Sequence, residues 1–293
     1  MEEGRIIKAL SGFYYVKTED DIYACRGRGV FRKRKINPLV GDFVKFDKTN
    51  DKEGYIIEVE PRINELVRPP IANINQALIV TSAKMPDFSP LLLDRFLVLI
   101  ESKNVTPIIF ITKTDISSSE EMETIESYRR DYEEIGYAVE FVISKEGSEL
   151  TNLNHYFKNN VTVIAGQSGV GKSSILNALN PLLLIEIDEI SMSLGRGKHT
   201  TRHVELVEVG GGLVADTPGF SALEFNEIEL EELAECFPEM RELKDLCRFR
   251  GCMHHQEPNC AVKKAVDVGD IKVYRYENYL SFFKEIQSRK PRY

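Results

Sequence analysis

Two hydrophobic rhythms divide the chain. In the first 65 residues, apolar positions fall into short runs at 4–16, 21–26, 41–46 and 54–60, separated by turn residues at 18–21, 37–38 and 50–51. Such runs read as strands, and several of them in so small a segment predict a closed, OB-like β-barrel. After Arg68-Pro69-Pro70 the rhythm lengthens. Apolar runs at 76–81, 107–112, 138–143, 161–165 and 213–215 predict strands, and amphipathic segments at 91–102 and 119–135 predict helices between them. Strand alternating with helix marks a mostly parallel, doubly wound α/β sheet. Segments 231–244 and 272–287 read as helices, and 288–293 as a basic tail. The expected organisation is multidomain: a barrel over 1–65, an α/β domain over 66–235 and a helical domain over 236–293.

One stretch of this pattern carries chemistry. Gly166-Gln167-Ser168-Gly169-Val170-Gly171-Lys172-Ser173 fits G-x-x-x-x-G-K-[ST], and Ser174 continues it into a helix ending near Leu179. Glycines let the backbone curl until successive N–H groups face phosphate oxygens, and the helix N-terminus adds positive potential. Lys172 then reaches the β- and γ-phosphates, and the Ser173 hydroxyl ligates Mg²⁺.

Two further strand ends match this loop. The run at 213–215 leads into Asp216-Thr217-Pro218-Gly219, a D-x-x-G pattern. There an aspartate holds Mg²⁺ and a glycine N–H senses the γ-phosphate. The run at 107–111 leads into Thr112-Lys113-Thr114-Asp115, close to N-K-x-D. A carboxylate at Asp115 accepts from guanine N1–H and N2–H₂, a donor pair that adenine lacks. Lys113 can lay its alkyl stem over the base, and Ser144 supplies a further base-side contact. Thr112 stands where the usual loop has Asn; it keeps a hydroxyl and loses the amide's reach. All these groups sit at the carboxyl ends of predicted strands, where open α/β sheets bind ligands. Their order is unusual, because the base-reading loop precedes the phosphate loop. A circular permutation accounts for this, since a fold tolerates new termini where the old ones lie close together.

Charge and cysteine usage extend the picture to both ends. The net charge of −8 is distributed as +2 over 1–62, −15 over 63–240 and +5 over 241–293. Basic ends around an acidic middle suggest flanking segments that touch a polyanion. Arg26, Arg28, Arg32, Lys33, Arg34 and Lys35 form one basic stretch, with Tyr14, Tyr15 or Phe31 available to stack on bases. Five cysteines favour a reducing compartment with a metal site over a disulfide framework. Cys247, Cys252, His254 and Cys260 make a Cys₃His set, which suits one closed, structural Zn²⁺. No apolar run approaches membrane-spanning length and no signal peptide is visible, so a cytoplasmic location without membrane contact is expected.

The permuted motif order, the N-terminal barrel and the C-terminal Cys/His set together resemble the ribosome-small-subunit-dependent GTPase A family over nearly the whole chain. The resemblance implies a monomeric, ribosome-stimulated GTP hydrolase that binds GTP and GDP with Mg²⁺ and acts late in small-subunit assembly. It also implies that the barrel and zinc domain grip rRNA. It marks 197–201 as the first switch, with Thr201 or otherwise Thr200 on Mg²⁺. His199 then orients the attacking water, with His203 a close competitor, because Phe220 follows Gly219 where Ras-like proteins place a glutamine. Three rival readings stay open: a nucleotide-gated RNA-binding module with little turnover, an ATP-using phosphate-loop enzyme, and a permuted GTPase acting on the large subunit.

Overall fold

The computed structural model describes residues 1–27, 31, 36–67, 69–143, 153–180, 204–216 and 223–289. In chain order the elements begin with strands β1 (Glu2–Leu10), β2 (Phe13–Lys17), β3 (Ile22–Gly27), β4 (Phe43–Lys48) and β5 (Glu53–Val59). A short hairpin follows, β6 (Glu65–Val67) and β7 (Pro70–Ala72). Then come β8 (Gln76–Ser82), α1 (Pro90–Glu101), β9 (Thr106–Thr112), α2 (Ser119–Ile135) and β10 (Ala138–Val142). The chain goes on through α3 (Asn154–Phe157), β11 (Val161–Ala165), α4 (Lys172–Leu179), β12 (Glu205–Val209) and β13 (Gly212–Asp216). It closes with α5 (Pro238–Arg241), α6 (Ala261–Val268) and α7 (Val273–Gln287). These elements form two compact units, one of residues 1–77, 144–164 and 171–221, the other of 78–143, 165–170 and 222–293.

In the first unit, β1 pairs with β2, β2 with β3, β3 in parallel with β5, β5 with β4, and β4 back with β1. The ring closes, so the five strands leave no barrel edge exposed. Alternation fills it: Ile6, Val16, Cys25, Val44, Phe46 and Ile56 are all buried. The single strand expected over 4–16 is two, β1 and β2, because Ser11 and Gly12 both adopt positive φ (51° and 82°). That is the two-residue turn whose twist suits a hairpin. Phe31, read as a stacking surface, is only 5% exposed and belongs to the core. Beside the barrel the order is β11-β13-β12-β1, with β11 and β13 parallel. β12 was not expected; its hairpin with β13 turns on Gly210 and Gly211, again at positive φ.

In the second unit, β8, β9 and β10 lie in the order β10-β9-β8, with β9 and β10 parallel. Ser89 caps α1 and Pro90 starts it, while α2 opens on a reciprocal Ser118/Glu121 capping box and stops at left-handed Gly136. One continuous helix was expected over 231–244. A 3₁₀ turn over Leu230–Cys236 breaks instead at Phe237, which is extended (φ −116°, ψ 101°), and the short α5 restarts after it. Pro238 is the cause, since its ring excludes the helical conformation from the residue before it. A hydrophobic core joins Val98 of α1 to Phe225, Leu233, Phe237, Val262, Tyr279 and Phe282. Within it lies a buried charge cluster. Arg275 of α7 donates to Asp94 of α1 and, at 2.7 Å, to Glu239, and Tyr132 and Asn278 also donate to Asp94 at 2.7 and 2.6 Å. Among the described residues, no helix is long and apolar enough to cross a membrane.

Candidate nucleotide and metal sites

The phosphate loop takes its shape from its glycines. Val161–Ala165 is buried throughout, so β11 ends abruptly at Gly166, where the backbone turns to φ 138°. A Cβ at Gly166 would lie 2.1 Å from the Val80 carbonyl oxygen, so no side chain fits there. Gly169 and Gly171 also have positive φ, whereas a Cβ at Gly169 would meet nothing within 4 Å. The first glycine serves close packing and the second backbone rotation. Gly171 is the N-cap of α4 and makes no side-chain cap there, and a helix N-terminus of this kind suits an anion. Gln167, Ser168 and Gly169 are exposed, Val170 is buried, and the Ser173 and Ser174 side chains are exposed on the first turn. Burial lowers the pKa of the Lys172 ammonium. Phosphate charge beside it would act in the opposite direction.

The base loop is tied to the phosphate loop by side chains. Thr112 ends β9, is 1% exposed, and its hydroxyl lies 2.6 Å from the Val170 carbonyl and 3.1 Å from that of Thr81. A hydroxyl has one proton, so the shorter contact to Val170 is the principal bond. Lys113 is left-handed (φ 58°), and its ammonium donates to the Gly169 carbonyl at 2.6 Å and to that of Met85. The 3₁₀ turn Thr114–Ile116 then carries Asp115 into solvent. The amide that Thr112 replaces is thus not needed to join the loops. Met85 and Thr81 are participants the motifs gave no reason to choose; for Met85 the signal is the Met85-Pro86 turn.

Three thiols and an imidazole converge in the C-terminal segment. The ligand atoms of Cys247, Cys252, His254 and Cys260 all lie within 4.8 Å of one another, and no disulfide joins them. Cys247 Sγ is 3.6 Å from His254 Nδ1 and 3.9 Å from Cys260 Sγ, and His254 Nδ1 is 3.3 Å from Cys260 Sγ. A tetrahedral zinc site has edges of about 3.8 Å between sulfurs and about 3.6 Å between sulfur and nitrogen. The donor set therefore fits that ion. Burial lowers the pKa of His254 and keeps its ring neutral, as a ligand must be. Around the donors, the Ala261 N–H points at Cys247 Sγ (3.3 Å), and Tyr276 donates to the His254 carbonyl (2.7 Å). The Glu257 carboxylate accepts from the Met253 and His255 N–H groups.

Other expected site residues are placed less fully. Asp216 is the last residue of β13, paired with Glu205, which fixes its backbone alone. Ser144, His199, Thr200, Thr201, His203 and Gly219 lie outside the described residues, as does most of the basic stretch after Arg26.

Comparison with known proteins agrees with this geometry. The family description "RsgA N-terminal domain" matches residues 3–56, and "RsgA GTPase" matches 59–226. The chain is 63% identical over 293 residues to "Small ribosomal subunit biogenesis GTPase RsgA 2" of Oceanobacillus iheyensis, covering 100% of both chains. It is 57% identical over 298 residues to "Small ribosomal subunit biogenesis GTPase RsgA" of Bacillus subtilis, again covering 100% of both. Among solved structures, that of YloQ, described as a circularly permuted GTPase, superposes with a TM-score of 0.87 at 53% identity, covering 100% of this chain and 97% of that one. YjeQ from Thermotoga maritima also gives 0.87, at 35% identity, covering 98% and 99%.

Proposed function

The chain belongs to the RsgA GTPase family and is a GTP-hydrolysing enzyme, and from that premise we propose that it serves late in maturation of the small ribosomal subunit. The observation that carries this reading is full-length identity with relatives named for small-subunit biogenesis. The working parts are a barrel over 1–65 and a zinc-bearing segment over 236–293 that hold rRNA, on either side of the GTPase domain over 66–235. The protein acts as a cytoplasmic monomer whose slow intrinsic chemistry is stimulated by the subunit.

In this proposal Asp115 reads guanine, with Lys113 and Ser144 beside the base, and 166–174 cradle the phosphates. Mg²⁺, when bound, supplies positive charge against the developing phosphoryl charge, and Ser173, Asp216 and Thr201 would hold it. Lys172 stabilises the same charge from the protein side. His199 accepts a hydrogen bond from the attacking water and orients it. The small subunit stimulates turnover by acting through that imidazole. One structural Zn²⁺ on Cys247, Cys252, His254 and Cys260 holds the C-terminal segment in shape.

The test is phosphate release from GTP and from ATP, with and without purified small subunits. A GTP-selective rate that rises at least about tenfold with subunits is expected, a threshold set well below the roughly 10³–10⁵-fold that a supplied catalytic group can give a GTPase. His199→Ala should remove most of that turnover while GTP affinity stays unchanged. A flat rate alongside tight GTP binding would move the function to a nucleotide-gated RNA binder.

A further inference from the structure

The metal-site loop carries a surface that the GTPase chemistry does not use. Between Cys247 and Cys252 the chain reads Arg248-Phe249-Arg250-Gly251, and all four residues are exposed. Phe249 is 43% exposed and Leu246, just before the first ligand, 70%. Large apolar side chains on a loop tip ordinarily turn inward, and here one stands between two cations. Those cations are uncommitted. Arg62, Arg95, Arg129, Arg241, Arg275 and Arg289 all form ion pairs. Arg248 and Arg250 have no ion-pair or hydrogen-bond partner among the described residues; Arg248 lies 5.6 Å from the Phe249 ring centre.

Phe249 also lines a cleft of about 440 Å³, together with Leu230, Met253 and three of the candidate metal ligands, Cys247, Cys252 and His254. Of its carboxylates, Glu235 is taken up by Lys244 at 2.8 Å, which leaves Glu231 and Asp245 to offer acceptors. An exposed aromatic ring, a cation on either side of it in the chain and carboxylate acceptors lining the same cleft make a platform for one unpaired nucleobase. The base stacks on Phe249, the guanidinium groups meet the phosphates on either side, and Glu231 or Asp245 receives an exocyclic amine. A duplex cannot use such a site, because its bases are already stacked. The loop is also pinned at both ends by candidate metal ligands, so little ordering is required on binding.

The geometry points to residues 248–250 as a single-stranded RNA contact, with Phe249 stacking on an unpaired base. This inference rests on the proposed rRNA-binding role and specifies where in the C-terminal segment, and to which form of RNA, that role attaches.

The experiment uses the full-length, zinc-loaded protein and two fluorescent RNA probes of equal length, a mixed-sequence single strand and a blunt, fully paired duplex. Phe249→Ala should weaken single-strand binding by about fivefold to a hundredfold, the range of one base–aromatic stack. Duplex binding should stay within about twofold, and Phe249→Tyr should restore single-strand binding, since stacking tolerates the hydroxyl. Arg248→Ala with Arg250→Ala should flatten the salt dependence by about 1.4 in slope, for two phosphates at about 0.7 each. One zinc per chain and an unchanged melting temperature report that each variant keeps this segment folded. If Phe249→Ala leaves single-strand binding intact, or weakens both probes equally, the inference is overturned while the RNA-binding role stands. If the unaltered protein binds neither probe, the RNA-binding role itself fails.

Discussion

The phosphate loop and the metal-site loop are both suited to a charged ligand, and they reach their shape by opposite means. At 166–171 the shape is written into the backbone. Three glycines take positive φ, one of them against the Val80 carbonyl, and Thr112 and Lys113 clip the loop in place from the end of β9. Nothing in that arrangement waits for a nucleotide. At 247–260 the shape belongs to the ligand atoms. Burial pushes the Cys252 thiol up to about 12 and raises Cys260, so without a cation these sulfurs hold protons that crowd one another. A cation removes the protons and the crowding in one step. The first loop is preorganised for its ligand, and the second is completed by it.

Metal removal should break this comparison most visibly. In small zinc domains the ion supplies about 10–16 kcal/mol of apparent folding free energy. Chelation, or Cys252→Ala, is therefore expected to unfold the segment around 247–260 and lower the melting temperature by many degrees, while GTP affinity changes far less. Elemental analysis should find one zinc per chain. An unchanged melting curve after complete chelation would show that the loop holds itself together as the phosphate loop does.

The next largest effect concerns how the C-terminal helices are anchored. Arg275 is 1% exposed and Asp94 fully buried, so α7 is registered on α1 by charge inside a hydrophobic core. Removing one partner of such a pair costs about 3–5 kcal/mol, because the other charge is left buried and alone. Arg275→Met should destabilise by that amount. Adding Asp94→Leu should recover part of it, even though two mutations now separate the protein from its starting sequence. Denaturant unfolding measures both, and a double mutant as unstable as the single one would contradict the argument.

The sequence disclosed the chemistry of these regions better than their packing. Strand ends, the phosphate loop, the Asp115 loop and the Cys₃His set were visible because each obeys a short-range rule of spacing and residue type. The acidic helix was legible to its limits, since Ser118, Glu121 and Gly136 mark both ends. What escaped depended on distant partners or on one dihedral angle. The 4–16 run conceals a hairpin that only Ser11-Gly12 betrays, and β12 shows itself only by pairing with β13 and β1. The role of Asp94 could not be read, because its partner Arg275 lies 181 positions away.

Thr112 gives a smaller effect that sharpens the comparison from the other side. If the phosphate loop is held ready by its clips, losing one should loosen nucleotide binding without unfolding anything. Thr112→Val keeps the shape and leaves the Val170 carbonyl without its donor, a loss of about 1–1.5 kcal/mol, or roughly tenfold in affinity for GTP and GDP alike. Thr112→Ser should restore binding. Isothermal titration decides, and an unchanged affinity in the valine variant would place the loop's rigidity in its glycines alone.

The smallest effect lies at the start of α2, where preorganisation rests on one exposed carboxylate. Glu121 accepts from Lys84 at 2.7 and 2.9 Å and from the Ser118 N–H at 2.7 Å. Those bonds, the Lys84 contact foremost, hold its pKa down to about 2 in the folded chain, against about 4.3 when unfolded. A depressed folded value means stability that is fully present above the unfolded pKa and lost as pH falls from about 4.3 toward 2. Glu121→Gln keeps both capping partners and removes only the charge, so the variant isolates this contribution. The difference in unfolding midpoint between the two proteins should be constant and modest from pH 7 to about 5, then shrink steadily to pH 3. Metal loss in acid affects both proteins alike and cancels in the difference. A gap that stays constant through that range would mean that the helix start is held by its capping bonds, with no help from the Lys84 charge.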